Sequence, residues 1–360
     1  MRRLLTVAVA AAAIAGGSVA VAHAAAPPDF APANASWLSA NEGFVLGLAG
    51  CDQPTLCTTL LHTTDGARSW TPVPVPETDL PDNQYRSFPT VVAATAKRLL
   101  VWDNNRILET VDAGKHWSTL AVNSPAPSLM ITDVRYFKGR VYAMAGSPEQ
   151  VDLYAAGQDG LDPVPGVTMH RGVSDVQATI AGGDALEVSL TNAAQQWPTS
   201  TWRSTDGKTF TQQIYPCYAG EAPIYAEHKP GAPIAAICAG TQPVYPGNWD
   251  KAMVLAPPTG GKVTRAPQAP EIGVVAGFAL VTDKVAVMPV SGGGVTFMMR
   301  TEDAGQTWTN TFTIDGQVWS PDLAFVNGAT AYQTVEGTLW RSTDVGRTWQ
   351  PVDFGGTHGA

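Results

Sequence analysis

One short phrase recurs through this chain and constrains it more than any other feature. Arg341 to Trp349 reads RSTDVGRTW; Thr301 to Trp308 repeats it as TEDAGQTW, and Thr110 to Trp117 as TVDAGKHW. Looser copies stand at Thr63 to Trp70, with Ala67 in the glycine position, and at Ser204 to Phe210, one residue shorter and ending in Phe. The common grammar is a hydroxyl residue, Asp two positions later, then Gly, then an aromatic. An Asp side chain accepts hydrogen bonds from backbone amides one to three residues ahead and so holds a turn closed. Gly supplies the positive φ that a reversal needs. The aromatic opens the outgoing strand and offers a large apolar face for burial. These residues are therefore read as builders of the fold, not as chemical groups.

Spacing converts the turn into an architecture. Asp65 and Asp112 are 47 residues apart, and Asp112 and Asp206 are 94 apart, with an eroded copy carrying Asp159 at the midpoint. Asp206 to Asp303 is again two periods, the midpoint holding the Asp-less turn Pro257 to Lys262, and Asp344 follows 41 residues after Asp303. Repeats of this length made of short alternating or β-branched bursts, such as Arg140 to Met144 and Lys284 to Met288, are the mark of propeller blades; helical repeats would need sustained 3.6-residue periodicity. The expectation is an all-β, seven-bladed β-propeller of four-stranded antiparallel blades. Its blades run from about 35 to 77, 85 to 124, 128 to 170, 174 to 216, 219 to 267, 271 to 315 and 319 to 354.

The phrase S/T-x-D-x-G-x-T-W resembles the Asp-box, or BNR, repeat of sialidases, related glycoside hydrolases and several non-catalytic propellers. The likeness covers essentially the whole mature chain, residues 25 onward. The chain is also similar to secreted actinobacterial propellers often termed sialidase-like, and more distantly to photosystem assembly propellers. Sialidase chemistry, as the resemblance implies it, needs three arginines gripping a carboxylate, an Arg-Ile-Pro motif before the first box, a Tyr–Glu nucleophile and an acidic proton donor. No Arg-Ile-Pro occurs, and the segment where it belongs reads WLSANEGF from Trp37 to Phe44. Arg203, Arg300 and Arg341 each immediately precede a box, which reads as repeat consensus and not as a grip.

Met1-Arg2-Arg3, an apolar Ala/Val-rich run and Ala22-His23-Ala24 read as a signal peptide over 1–24, with cleavage after Ala24 and export as the consequence. Residues 25–34 form a Pro-rich lead-in, 35–354 the propeller, and 355–360 a disordered tail. The last blade is complete in sequence, so residues near 29 to 35 either add an edge strand to it or lie across it. Four cysteines in an oxidising compartment favour two disulfides over zinc, since there is no CxxC pair and no His at ligand spacing; of three formally possible pairings, Cys51–Cys57 with Cys217–Cys238 joins the residues nearest in the expected blades. No metal and no cofactor is expected. The formal charge of −9 becomes −11 once Arg2 and Arg3 leave with the leader, a surface that repels nucleic acid and anionic membranes. No later stretch offers the ~20 apolar residues of a membrane span, so stable membrane insertion is set aside.

Alternation of strand direction assigns the faces. The boxes and the first-to-second turns share one face; the second-to-third and blade-to-blade connections, which are longer, share the other, where propellers usually bind. That loop-rich face holds most of the aromatics unused by boxes: Tyr85, Trp102, Trp197, Tyr218, Tyr245, Trp249 and Trp319. Rigid aromatics around one mouth suit protein recognition or sugar stacking. With no GxSxG elbow, HExxH or phosphate loop in the chain, the expectation is a secreted, non-catalytic propeller that binds an extracellular protein or a cell-envelope glycan there. The alternative is a diverged glycoside hydrolase of exo-α-sialidase type.

Overall fold

The computed structural model describes residues 26–355 except 28, 51–55, 78–88, 125–128, 148–149, 171–175, 182, 193–199, 215, 219, 228–231, 241–247, 258–261 and 319–321. Among the described residues there is no helix, and the strands form seven antiparallel sheets spanning 31–73, 90–120, 130–170, 176–213, 221–268, 274–315 and 324–351. Each is a four-stranded meander numbered here as blades 1 to 7. In blade 6 the innermost position is split into two pieces, Val274–Val275 and Ala279–Leu280, both paired with Ala286–Gly292. The blade count and the four strands per blade agree with the repeat spacing.

The boxes act as the sequence implies. In blade 7, Asp344 Oδ1 accepts the amides of Arg347 (3.1 Å) and Thr348 (2.9 Å), and Oδ2 accepts the Thr348 hydroxyl (2.6 Å). Ser342 Oγ donates to Asp344 and accepts the Gly346 amide. Asp65 repeats the set, Asp303 keeps it without the first amide, and Asp112 does likewise with the His116 ring in place of the second hydroxyl. Burial pushes the Asp65 carboxyl up, but donors from Ser69, Thr63 and Arg68 outweigh it and bring it down to about 2. In blade 4, whose box is one residue shorter, Asp206 holds the Lys208 and Thr209 amides. Blade 3 departs from the expectation: Asp159 is exposed and closes nothing, because that turn is held by Gly157 N–H to Gly160 O at 2.7 Å. The full boxes also contain a second left-handed residue, at Ala113 (φ 62°), Ala304 (58°) and Val345 (65°), which the sequence reading assigned to glycine alone.

Among the described residues six hydrophobic clusters rich in large side chains each span two neighbouring blades, and a seventh, smaller one lies on blade 5 and the connection that leads into it. A box aromatic packs back onto the preceding blade: Trp308 against the core of blades 5 and 6, Trp349 between 6 and 7, and Phe210 edge-on to Tyr142 of blade 3. Trp117 also donates its indole N–H to Pro74 O of blade 1 (2.8 Å).

Ring closure resolves the open question about residues 29 to 35. Ala31–Trp37 is the innermost strand of blade 1, paired with Gly43–Gly50, so the blade starts inside the stretch expected to be a lead-in. Among the described residues no strand is shared between blades. The seam between blades 7 and 1 is closed by side chains instead: Trp37 stacks on Tyr332 at 3.5 Å, Phe30 meets Phe354 at 5.0 Å, and Tyr332 donates to Ala40 O. Near the axis, Asp322 of blade 7 accepts the Ala35 amide of blade 1 at 2.9 Å. Asn34 takes Val91 N–H of blade 2, and Asp133 takes Ile180 N–H of blade 4, in the same manner.

Candidate functional site at the junction of blades 4 and 5

The junction of blades 4 and 5 differs from the others, and the cause lies in two local features of sequence. First, the turn of blade 5 lacks the boxed aromatic: Val263 stands immediately before the outer strand Thr264–Gln268, where Trp308 stands before Thr309–Asp315 in blade 6. Second, the second strand of blade 4, Leu186–Asn192, alternates chemically. Leu186, Val188 and Leu190 bury themselves against blade 3, so Glu187 and Ser189, with Thr201 and Arg203 from the next strand, face blade 5. The opposing wall is Tyr225, Ala236, Val254 and Val263, and its cluster contains no buried aromatic. A polar wall against small residues cannot interdigitate as the other junctions do. A cleft of about 160 Å³ results, bordered by Glu187, Thr201, Gln212, Gln213, Ile214 and Tyr225.

Its polar groups are ordered. Ser189 Oγ and Thr201 Oγ1 share a hydrogen bond (2.9 Å), and Ser189 donates to the Tyr225 hydroxyl oxygen (3.2 Å). Glu187 and Arg203 are cross-strand neighbours with Oε1 and Nε 3.0 Å apart. The contact is an ion pair out of line for a hydrogen bond, since neither atom has a hydrogen-bond partner. Burial pushes the Glu187 carboxyl up to about 7, with Arg203 pulling the other way. A carboxyl that half holds its proton near neutrality can both donate and accept, so it can meet an amide or hydroxyl of a ligand. Ile214 at the border is 77% exposed, an unusual position for that side chain.

The connection from blade 4 to blade 5 passes over this junction and is pinned to blade 5. Cys217 is bonded to Cys238, as expected from sequence, and Glu221 forms a two-armed ion pair with Arg265 (2.6 and 2.9 Å). Tyr218, 66% exposed, lies over the Arg265 guanidinium at 4.2 Å and gives its amide N–H to Glu221. Cys217, Glu221 and Cys238 converge as a metal cage would, but the sulfurs are consumed by the disulfide. Cys57 is disulfide-bonded, and its expected partner, Cys51, lies outside the described residues.

Of the aromatics assigned to the loop-rich face, Tyr218 is presented to solvent beside the cleft. Trp249 is part-buried at the start of the third strand of blade 5, its amide donating to Glu271 O and its carbonyl accepting Lys251 Nζ (2.7 Å). Lys251, fully buried, also donates to Pro270 O and Ile272 O, both at 3.0 Å, which ties that connection down. Trp102 is placed differently from the expectation: it is 6% exposed in the core of blades 2 and 3, because its strand is buried on both faces. Tyr85, Trp197, Tyr245 and Trp319 lie outside the described residues. Glu187, Ser189, Thr201 and Tyr225 were missed by the sequence reading. The available signal was the LEVSL alternation, since the equivalent strands of blades 3 and 6 are apolar on both faces.

The three box-preceding arginines sit at three different junctions: Arg203 beside Glu187, Arg300 donating to Val345 O (2.9 Å) of blade 7, and Arg341 between blades 7 and 1. They form no common grip.

These features define an all-β, seven-bladed propeller with an open junction between its fourth and fifth blades. No family model matches the chain, and no curated protein does. Solved structures are similar in fold. One titled "YCF48 bound to D1 peptide" is 14% identical over 89% of this chain and 94% of its own, with a TM-score of 0.50. A puromycin-hydrolyzing peptidase of Mycobacterium tuberculosis is 14% identical over 91% of this chain, with a TM-score of 0.56, and this chain spans 54% of its length. The β-propeller domain of the Trilobed protease from Pyrococcus furiosus is 8% identical over 91% of this chain and 99% of its own, with a TM-score of 0.50. Likeness at this identity concerns the fold. No helix among the described residues is long and apolar enough to cross a membrane.

Proposed function

We propose that this protein is an exported, non-catalytic recognition propeller that holds an extended segment of an extracellular protein, with the junction of blades 4 and 5 as its anchor. A cell-envelope glycan is the other ligand class the loop-rich face would accept. The observation that carries the reading is the pairing of exposed Ile214, and of exposed Tyr218 held against Arg265 and Glu221, with a cleft that has apolar walls and an ordered polar side. Binding sites concentrate their energy where a few well-held aromatics flank a pocket. Apolar walls and an exposed Ile suit a polypeptide side chain better than a sugar, and a neighbour of the same fold is titled as bound to a peptide. The leader read over 1–24 and the Cys217–Cys238 disulfide support export.

The test is a peptide array and a glycan array probed with purified protein, followed by calorimetry on hits. Tyr218→Ala and Ile214→Ser are expected to weaken a true ligand by roughly tenfold each while leaving the melting temperature unchanged. A ligand that binds both variants as tightly as wild type would place the anchor elsewhere. Turnover of a fluorogenic glycoside would refute the non-catalytic reading.

A further inference from the structure

The face carrying the boxes has so far only a structural role, yet it contains an unusual arginine. Seven of the ten described arginines form an ion pair with a carboxylate. Among the described residues Arg68, Arg140 and Arg341 do not. Arg140 gives its Nε–H to Ala156 O at 2.7 Å. Arg68 and Arg341 come from blades 1 and 7 and converge at the closing seam: burial pushes the Tyr332 phenol up, and both guanidinium groups pull against it. Arg341 lies over the Tyr332 ring at 5.9 Å, and its Nε is buried with no hydrogen-bond partner.

Comparison across the repeat sharpens the anomaly. The residue before the box hydroxyl pairs with a carboxylate or a guanidinium in four blades: His62 with Glu42, Glu109 with Arg98, Arg203 with Glu187, and Arg300 with Glu302. In blade 7 the same position faces a cavity of about 190 Å³ bordered by Thr343, Gln350 and Asp353. A buried guanidinium donor without an acceptor is costly, so an acceptor supplied from outside would be favoured.

We infer that this seam cavity is a carboxylate-binding site, with Arg341 as its fork, Gln350 and Thr343 as flanking donors, and Arg68 as a second, exposed cation. The chemistry selects a single negative charge. Asp353 borders the site, and Asp344 stands behind the lining residue Thr348, whose hydroxyl it accepts; burial pushes the Asp344 carboxyl up, but donors from Thr348 and Ser342 outweigh it and hold it low, so a dianion meets repulsion. Planar bidentate geometry matches a carboxylate. The site lies on the box side of the seam of blades 7 and 1, remote from the junction of blades 4 and 5, and does not depend on that junction's function.

The test is a titration of purified protein followed by the arginine Nε–H resonances in ¹⁵N NMR, with acetate, glucuronate, and one short peptide carrying either a free or an amidated C-terminus. Inorganic phosphate at matched ionic strength is the control. Carboxylates are expected to shift the Arg341 signal saturably, with phosphate at least tenfold weaker. The free-acid and amidated peptides distinguish a polypeptide terminus from a small acid as the source. Arg68→Gln, at an exposed position, is expected to weaken acetate about threefold, and Arg341→Lys about tenfold, by keeping the charge and losing the fork. Equal responses to acetate and phosphate, or unchanged acetate affinity in a folded Arg341→Lys protein, would overturn the assignment.

Discussion

Asp322 closes the ring, and the consequence of replacing it by Asn can be worked from its contacts. The carboxyl is buried and meets four donors: Ala35 N–H at 2.9 Å, Thr334 N–H at 3.0 Å, Gln333 Nε2 at 2.6 Å and the Thr334 hydroxyl at 2.6 Å. Asn keeps one acceptor and turns an NH₂ group toward donors, which leaves at least one buried N–H unpaired and costs about 1–3 kcal/mol. Burial pushes the wild-type carboxyl up to about 7, against an ordinary value of 3.8. The sign follows from proton binding. Between pH 4 and 7 the folded chain holds a proton that the unfolded chain has released, so stability from this group is greatest below pH 4 and falls as pH rises toward 7. Three pKa units correspond to about 4 kcal/mol across that window. Because Glu187 is raised to about 7 by its own burial, the experiment is done in a Glu187→Gln background. Calorimetric melting temperatures would be taken from pH 4 to 8. Asp322→Asn is expected to be less stable than its parent at pH 4 and to show a flatter profile above it. A parallel profile in both proteins would refute the reasoning.

Three further perturbations test the local arguments. Val345→Gly is expected to stabilise by about 1 kcal/mol, since a β-branched residue is strained at φ 65° and blade 1 places Gly66 at the equivalent step; a lower melting temperature would show that the Val345 side chain matters more than its backbone. Lys251→Met removes the donor shared by Trp249, Pro270 and Ile272 carbonyls, and is expected to cost about 2–4 kcal/mol and to raise amide exchange at residues 270–273. Replacing Cys217 and Cys238 together by Ser opens a loop of 21 residues, for an expected loss of about 3 kcal/mol by chain entropy, read from denaturant midpoints.

Much of the architecture was legible because the repeat is covalent and local. A hydroxyl, an Asp and a Gly at fixed spacing close a turn using only atoms within five residues, as Ser342, Asp344 and Gly346 do. Counting such turns counts the blades, and the pairing of Cys217 with Cys238 followed from the same register. Asp159 shows the limit of counting: its spacing is right, but without the hydroxyl and aromatic it has nothing to hold. Trp102 shows a second limit, since burial depends on what lies across the sheet and not on the chain position alone.

The sequence by itself thus determined the seven-fold repeat and the four short strands of each blade, because both are settled by neighbours along the chain. Tertiary structure alone decided where adjacent blades fail to interlock. The cleft needs Val263 and the Glu187–Ser189 row to come opposite each other, and the anion cavity needs Arg341 to close against blade 1 with no ion pair among the described residues. Both depend on surfaces separated by tens to hundreds of residues, and packing at close range is fixed only once the ring has shut.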